Sequence, residues 1–388
     1  EGEGRDWEVE CWRRHAQRLA ESTEAMLAEI GQGGSLLDSP EGWRTLTAEL
    51  APPTRAALAA LPADIECALL VILVELADAQ EAASARKAGA LPVRHVRVHA
   101  RPLAGSWGAG ATKPPCAAAV VARGGRWRAL PFAKDSAWAT QRVPLEVARD
   151  EANAAEGLLA NAEGELLEGL VSNVFVVSRK VGYPAAPGSF GQLLATLVDA
   201  VRSFSGMGSA ASELFRYAFW QLGIALGVCS EDDALELLTA PDDDVLPGVM
   251  RSLTLQAAAA EGLTVRKVAP APTLAASGAW SEAAVTSALR GIQPLSSVIW
   301  PEGFKTAGAA SDGSPSEADA TTGVAAAPTH TTHFSGEAAV LTRLQQRVAA
   351  MARLERVGLQ GLDEVASMAA AAAAAEEAQI AADGFVKI

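Results

Sequence analysis

One acidic residue set into an apolar strand constrains this chain more than any other feature. Gly157-Leu-Leu-Ala160 has the composition of a buried strand, and Asn161-Ala-Glu-Gly164 supplies the Asn and Gly that suit a tight hairpin turn. The returning stretch, Glu165-Leu-Leu-Glu168-Gly-Leu-Val-Ser172-Asn173-Val-Phe175, carries Glu168 among mostly apolar neighbours. A carboxylate in a run that otherwise favours burial must be paired to stay charged. Taken alone, Glu168 reads as a salt-bridged or edge-strand glutamate. Lys134, one of seven lysines in the chain, lies 34 positions upstream and changes that reading.

Glu-Gly-x-x-Ser-Asn-x-Phe closing a hairpin resembles the class IV aminotransferases, the fold-type IV enzymes that use pyridoxal 5'-phosphate. The resemblance implies that Glu168 bonds the pyridine nitrogen of the cofactor. It implies too that Lys134, at the spacing the family shows, is the Schiff-base lysine. Trp138-x-x-x-Arg142-x-Pro-Leu, just after the lysine, is similar to a plant and algal branch described as D-amino acid aminotransferase-like. Branched-chain enzymes carry a tyrosine five residues after the lysine, and this chain has Ala139 there, which points away from branched-chain specificity.

Three further stretches resemble the family's phosphate-binding elements. In His15-Ala-Gln-Arg18-Leu19, Arg18 matches an arginine that reaches the cofactor phosphate, a role a fixed guanidinium suits. Leu246-Pro-Gly248-Val249-Met250-Arg251 opens a helix that the pattern carries through Ala260 to Glu261-Gly262. Free backbone N–H groups at such a helix start bind phosphate, so Val249 and Met250 would act through their amides. Thr286-Ser287-Ala288-Leu-Arg-Gly is similar to the strand-and-turn that offers a hydroxyl and an amide to the same phosphate, at Ser287 and Ala288. Asn173 completes the cofactor-binding set that the resemblance implies.

The implied fold is mixed α/β in two domains, a small N-terminal α/β domain (1–104) and a larger cofactor-binding domain (116–300), joined by a Gly- and Pro-rich linker at 105–115. Between Phe175 and the next motif 70 residues intervene, so an insertion is expected at about 180–244. Within it, Leu214–Leu226 reads as an apolar helix and Ser230–Asp233 as the capped start of another. A low-complexity linker (301–333) follows the last motif, with His330 and His333 read as loop residues, and then a helical tail (334–388) whose first helix Ser335 would cap.

Elsewhere, Asp6–Ile30 has helical periodicity ended by Gly31 and Gly33, and 42–88 reads as further helices interrupted by Pro52-Pro53 and Pro62. Cys67–Val74, the longest apolar run, is flanked by Glu66 and Glu75 and reads as a buried helix rather than a membrane span. Pro92–Ala100 alternates as a half-buried strand, with Val96 and Val98 on one face. His95 and His99 are then polar positions on the other face, not a metal pair. Two strands, Ala117–Ala122 and Trp127–Ala133, lead into Lys134.

A formal net charge of −14, from 46 acidic and 32 basic residues, argues against nucleic acid or an anionic membrane as partner. Four scattered cysteines suit free thiols in a reducing compartment. The first residue is Glu1, and an N-terminal truncation that hides any targeting peptide is expected, with a cytoplasmic or plastid location. The resemblance implies a homodimer and a transaminase acting on a small amino acid and a 2-keto acid. A lyase acting on 4-amino-4-deoxychorismate shares the scaffold and the lysine, and a catalytically degenerate homologue serving as a binding module is the reading from a different class.

Overall fold

A computed structural model describes residues 7–31, 40–88, 90–105, 107–124, 127–128, 130–180, 231–301, 328–334 and 338–362. A two-residue strand, β1 (Glu8–Val9), leads into helix α1 (Trp12–Glu29). Trp12, Ala16, Ala20 and Leu27 recur at helical spacing and are buried, whereas Ile30 stays exposed. Gly31, at φ +70, ends the helix. Helix α2 (Pro40–Ala59) continues through Pro52 and Pro53, where the sequence suggests a break. Burial of Leu46, Leu50 and Leu58 outweighs the hydrogen bonds that the two prolines remove.

The apolar run at 67–74 is the clearest correction. It forms strand β2 (Ala68–Leu76), separated by helix α3 (Ala79–Lys87) from its antiparallel partner β3 (Val93–Pro102). A short apolar run has no periodicity that separates buried helix from strand, so the nearby partner decides. Strand β3 alternates as expected, with Val96 and Val98 half-buried and His95, Arg97 and His99 exposed.

The larger sheet begins with β4 (Cys116–Arg123). The described residues of 127–133 form turns and bends instead of the expected second strand, and Lys134 lies in a loop ahead of the short helices α4 (Trp138–Gln141) and α5 (Val143–Glu151). The hairpin is present as β5 (Glu156–Ala160) and β6 (Leu166–Gly169). Its turn is closed by Asn161 N–H to Glu165 O at 3.0 Å and by Glu165 N–H to the Asn161 side chain at 2.8 Å. Strand β7 (Asn173–Arg179) follows at once.

Residues 181–230, with the expected helix at 214–226, lie outside the described residues. Glu231–Ala234 is one 3₁₀ turn rather than a helix start, and it feeds β8 (Leu235–Thr239), a buried strand between β7 and its next neighbour. The end of the expected insertion is therefore part of the main sheet. Helix α6 (Val249–Ala260), strand β9 (Thr264–Lys267), helix α7 (Pro272–Ala276) and strands β10 (Trp280–Ser287) and β11 (Gly291–Pro301) complete this region.

Strand β12 (Pro328–His333) pairs with β11, with His330 opposite Trp300 and His333 opposite Ser297. Both histidines are thus strand residues, not loop residues. Hydrogen bonds run in the order β10-β11-β4-β5-β6-β7-β8-β9, and β10 also pairs with β7. That extra pairing closes a ring of strands around Val120, Leu158, Leu166, Val174, Val285 and Leu295. Helix α8 (Ala339–Leu354), expected as part of a tail, buries Val340, Leu341, Leu344 and Val348 in the core shared with α6. Its first amides donate to Glu282, from Val340 N at 3.0 Å and Leu341 N at 2.8 Å. Ser335, the expected cap, is outside the described residues. A final strand, β13 (Val357–Gly358), returns to pair with β1.

Candidate active site

A cavity of about 1190 Å³ lies between α1, strand β2 and the strand ring. Lys134, Glu168, Arg18, Val249, Met250, Ser287, Ala288 and Asn173 all line it. They come from α1, the loop after β4, strands β6 and β7, the start of α6 and the β10–β11 turn, so only the tertiary fold brings them together.

Glu168 reaches its place on β6 through the hairpin register, and each oxygen of its carboxyl accepts one hydrogen bond. Arg128 Nη2 donates to Oε1 at 2.8 Å, and the Leu246 N–H donates to Oε2 at 3.1 Å. Burial raises the affinity of this carboxyl for its proton, while Arg128, the Leu246 amide and Lys134 oppose that rise. Burial is the largest of these influences, so the pKa of Glu168 lies above the usual carboxylate value, and the permanently charged Arg128 is the main group opposing that rise. The sequence does not single out Arg128. It falls within a segment that reads as an ordinary strand, and no spacing rule separates it from the other arginines.

Asn173 begins β7, and its Nδ2 donates to the Leu246 carbonyl at 2.9 Å. Leu246 is thereby held at both ends of its backbone, by Glu168 through N–H and by Asn173 through C=O. The segment so fixed leads to Gly248, the N-cap of α6, where an added Cβ would overlap the Asn173 amide oxygen. No side chain caps this helix, and its first intrahelical bond runs from Ser252 N to Gly248 O. The amides of Val249 and Met250 precede that bond and have no carbonyl within the helix. Arg251 turns away, to Asp242 and the Ala240 carbonyl.

Lys134 is open to the cavity yet set deep between its walls, and its backbone N–H donates to Ser22 Oγ at 3.1 Å. Burial, then the nearby cations Arg18, Arg128 and Arg142, lower its pKa to about 8, against the pull of Glu168. His15, one turn before Arg18 on α1, is pushed down to about 3 by burial and by the cations Arg18 and Lys134, and is neutral near pH 7. Trp138 packs beside Arg128, the guanidinium carbon 5.8 Å from the ring centroid, and its Nε1 donates to the Leu170 carbonyl at 2.9 Å.

Several buried polar atoms on residues lining the cavity have no hydrogen-bond partner among the described residues, among them Trp12 Nε1, Arg128 Nε, Arg18 Nε and Thr286 Oγ1. Buried polar groups are rarely left so, and each of these atoms calls for a ligand or water. Ser287 Oγ accepts the Arg290 N–H at 3.1 Å and keeps its own proton to donate. From the sequence, Thr286 reads only as part of a motif.

No family model and no curated protein matches the sequence. Among solved structures, the branched-chain aminotransferase of the archaeon Thermoproteus uzoniensis, determined with norvaline, is similar over 92% of this chain and 86% of its own, at 15% identity and a TM-score of 0.50. A branched-chain amino acid aminotransferase variant from Thermobaculum terrenum covers 91% and 84% at 13% identity, with a TM-score of 0.48. At such identity a shared structure speaks for the fold: this chain has the mixed α/β fold of the Thermoproteus branched-chain aminotransferase.

Proposed function

We propose that the protein is a pyridoxal-phosphate-dependent aminotransferase of class IV, transferring an amino group between a small amino acid and a 2-keto acid. The observation that carries the reading is the convergence of Lys134, Glu168, Arg18, the α6 N-terminus and the Ser287–Ala288 turn on one cavity. The donor set fits the cofactor's two ends. Arg18, with an unpartnered buried Nε, the uncapped amides of Val249 and Met250, and the hydroxyls of Ser287 and Thr286 suit a phosphate dianion. Glu168, an acceptor held by Arg128, suits a protonated ring nitrogen.

Bound there, the cofactor supplies an electron sink for the carbanion at the substrate Cα. The chain's own residues do the rest. Lys134 Nζ would hold the cofactor covalently and, once released by the substrate amine, carry the proton from the substrate Cα as general base and return it as general acid. A pKa of about 8 suits both halves of that cycle near neutrality. Glu168 would keep the ring nitrogen protonated, while Trp138 and neutral His15 wall the cavity without adding charge. Arg142, lining the cavity close enough to depress Lys134, is a cation suited to a substrate carboxylate.

The direct test is the visible absorption of the protein loaded with pyridoxal phosphate, beside Lys134→Ala. A band that borohydride converts into a cofactor covalently attached to the Lys134 peptide, absent in the variant, supports the assignment. A folded wild type that develops no such band sinks it. Amino transfer to a 2-keto acid, rather than release of pyruvate from 4-amino-4-deoxychorismate, then separates transaminase from lyase.

A further inference from the structure

Glu156, the first residue of β5, is a buried charge outside the donor set just described. It is fully buried, and its Oε2 accepts a hydrogen bond from Arg290 Nη1 at 2.9 Å. A carboxylate taken this far from water is costly even when paired, so an isolated structural role would be better served by an apolar side chain. What distinguishes the pair is where Arg290 sits. It closes the β10–β11 turn, the turn that carries Ser287 and Ala288, and its own N–H donates to Ser287 Oγ.

The turn is held on its other side as well. Gly108 N–H donates to the Leu289 carbonyl at 2.9 Å, and Gly291, at φ +65, would place a Cβ 2.7 Å from the Gly108 oxygen. Of the two paired side chains, only Arg290 reaches solvent, 22% exposed against 1% for Glu156. Without Glu156 it is free to swing outward and take its backbone N–H away from Ser287. The hydroxyl then loses the acceptor bond that orients its proton.

We propose that Glu156 is a positioning residue that, through Arg290, sets the Ser287–Ala288 turn in the conformation that receives the cofactor phosphate. The inference rests on the reading of the cavity as a pyridoxal-phosphate site. Glu156 also packs against Gly169, and the Ser172 hydroxyl stabilises its charged form. The direct partners of Glu168 and Lys134 are instead Arg128 and Ser22, so the larger effect of Glu156 is expected at the phosphate end.

The experiment compares dissociation constants for pyridoxal phosphate and for pyridoxal, which lacks the phosphate, by absorbance titration of wild type, Glu156→Gln and Arg290→Lys. In Glu156→Gln the preference for the phosphorylated ligand falls about tenfold, the order expected for one lost charge-assisted donor, while pyridoxal binding is nearly unchanged. Arg290→Lys, which keeps a cation for Glu156, retains most of the preference. Equal weakening of both ligands, or an unchanged preference in the folded variant, overturns the proposal. Should Glu156→Gln fail to fold, Arg290→Gln, altered at the partly exposed end of the pair, is judged by the same two outcomes. A wild type that binds neither ligand overturns the cofactor reading and this role with it, whereas a wild type that prefers the phosphate beside a variant of equal preference overturns this role alone.

Discussion

Arg128 donates to Glu168 over 2.8 Å with both side chains 8% exposed, so each charge depends on the other. Removing one partner of such a pair strands its mate. Arg128→Met is expected to cost about 3–5 kcal/mol of folding stability, read by urea denaturation. Glu168→Gln in the same background should recover part of that loss, because no unpaired charge remains. Losses that simply add in the double variant would show the two residues to be uncoupled.

Lys134 sets a pH dependence whose sign follows from its pKa of about 8. The neutral amine is the nucleophile, so the rate at which the apoprotein captures pyridoxal phosphate should rise with pH and level off above about 8. Replacing Arg142 with Met removes a like charge and should move that midpoint upward. Stability carries the same signature. Between about 8 and the ordinary value of 10.5 the unfolded chain holds the extra proton, so stability rises with pH in that window and is penalised by a constant amount below it. Lys134→Met should remove that slope, measured as the melting temperature against pH.

Gly248→Ala puts a methyl group against the Asn173 amide that holds Leu246. Overpacking of this kind costs about 1–3 kcal/mol. The start of α6 must shift, so pyridoxal phosphate affinity should fall more than pyridoxal affinity. A Gly248→Ala protein with unaltered affinity for both would argue against a phosphate at the α6 amides.

Helix α8 can be tested by Leu344→Ala. Leu344 is 1% exposed in the core shared with α6, and truncation there should cost about 2–5 kcal/mol in chemical denaturation. A dispensable tail would tolerate the change.

Much of this site is legible without coordinates. The β5–β6 hairpin follows from Asn161 and Gly164, Glu168 from being a carboxylate among apolar neighbours, and the α6 start from Gly248 with Gly262 beyond its end. These are local signals, carried by turn chemistry and short spacing. Arg128 and Thr286 carry none, because their meaning lies in what they face: a carboxylate 40 positions along the chain for one, an open donor position on the cavity wall for the other.

The sequence by itself determined the local elements and the chemical types available: the lysine, the carboxylate, the glycine before a helix, the hydroxyl at a turn. Tertiary structure decided three things that local pattern leaves open. It made 68–76 a strand, because β3 was there to pair with it. It drew β8, β12 and α8 into the sheet and core from stretches that composition assigned to an insertion, a linker and a tail. It also gave Lys134 a pKa near 8, since burial and the cations of Arg18, Arg128 and Arg142 are properties of a place rather than of a residue. Hydrogen-bond pairing, burial and Coulomb interactions all act between groups distant in sequence, and only the folded chain sets those distances.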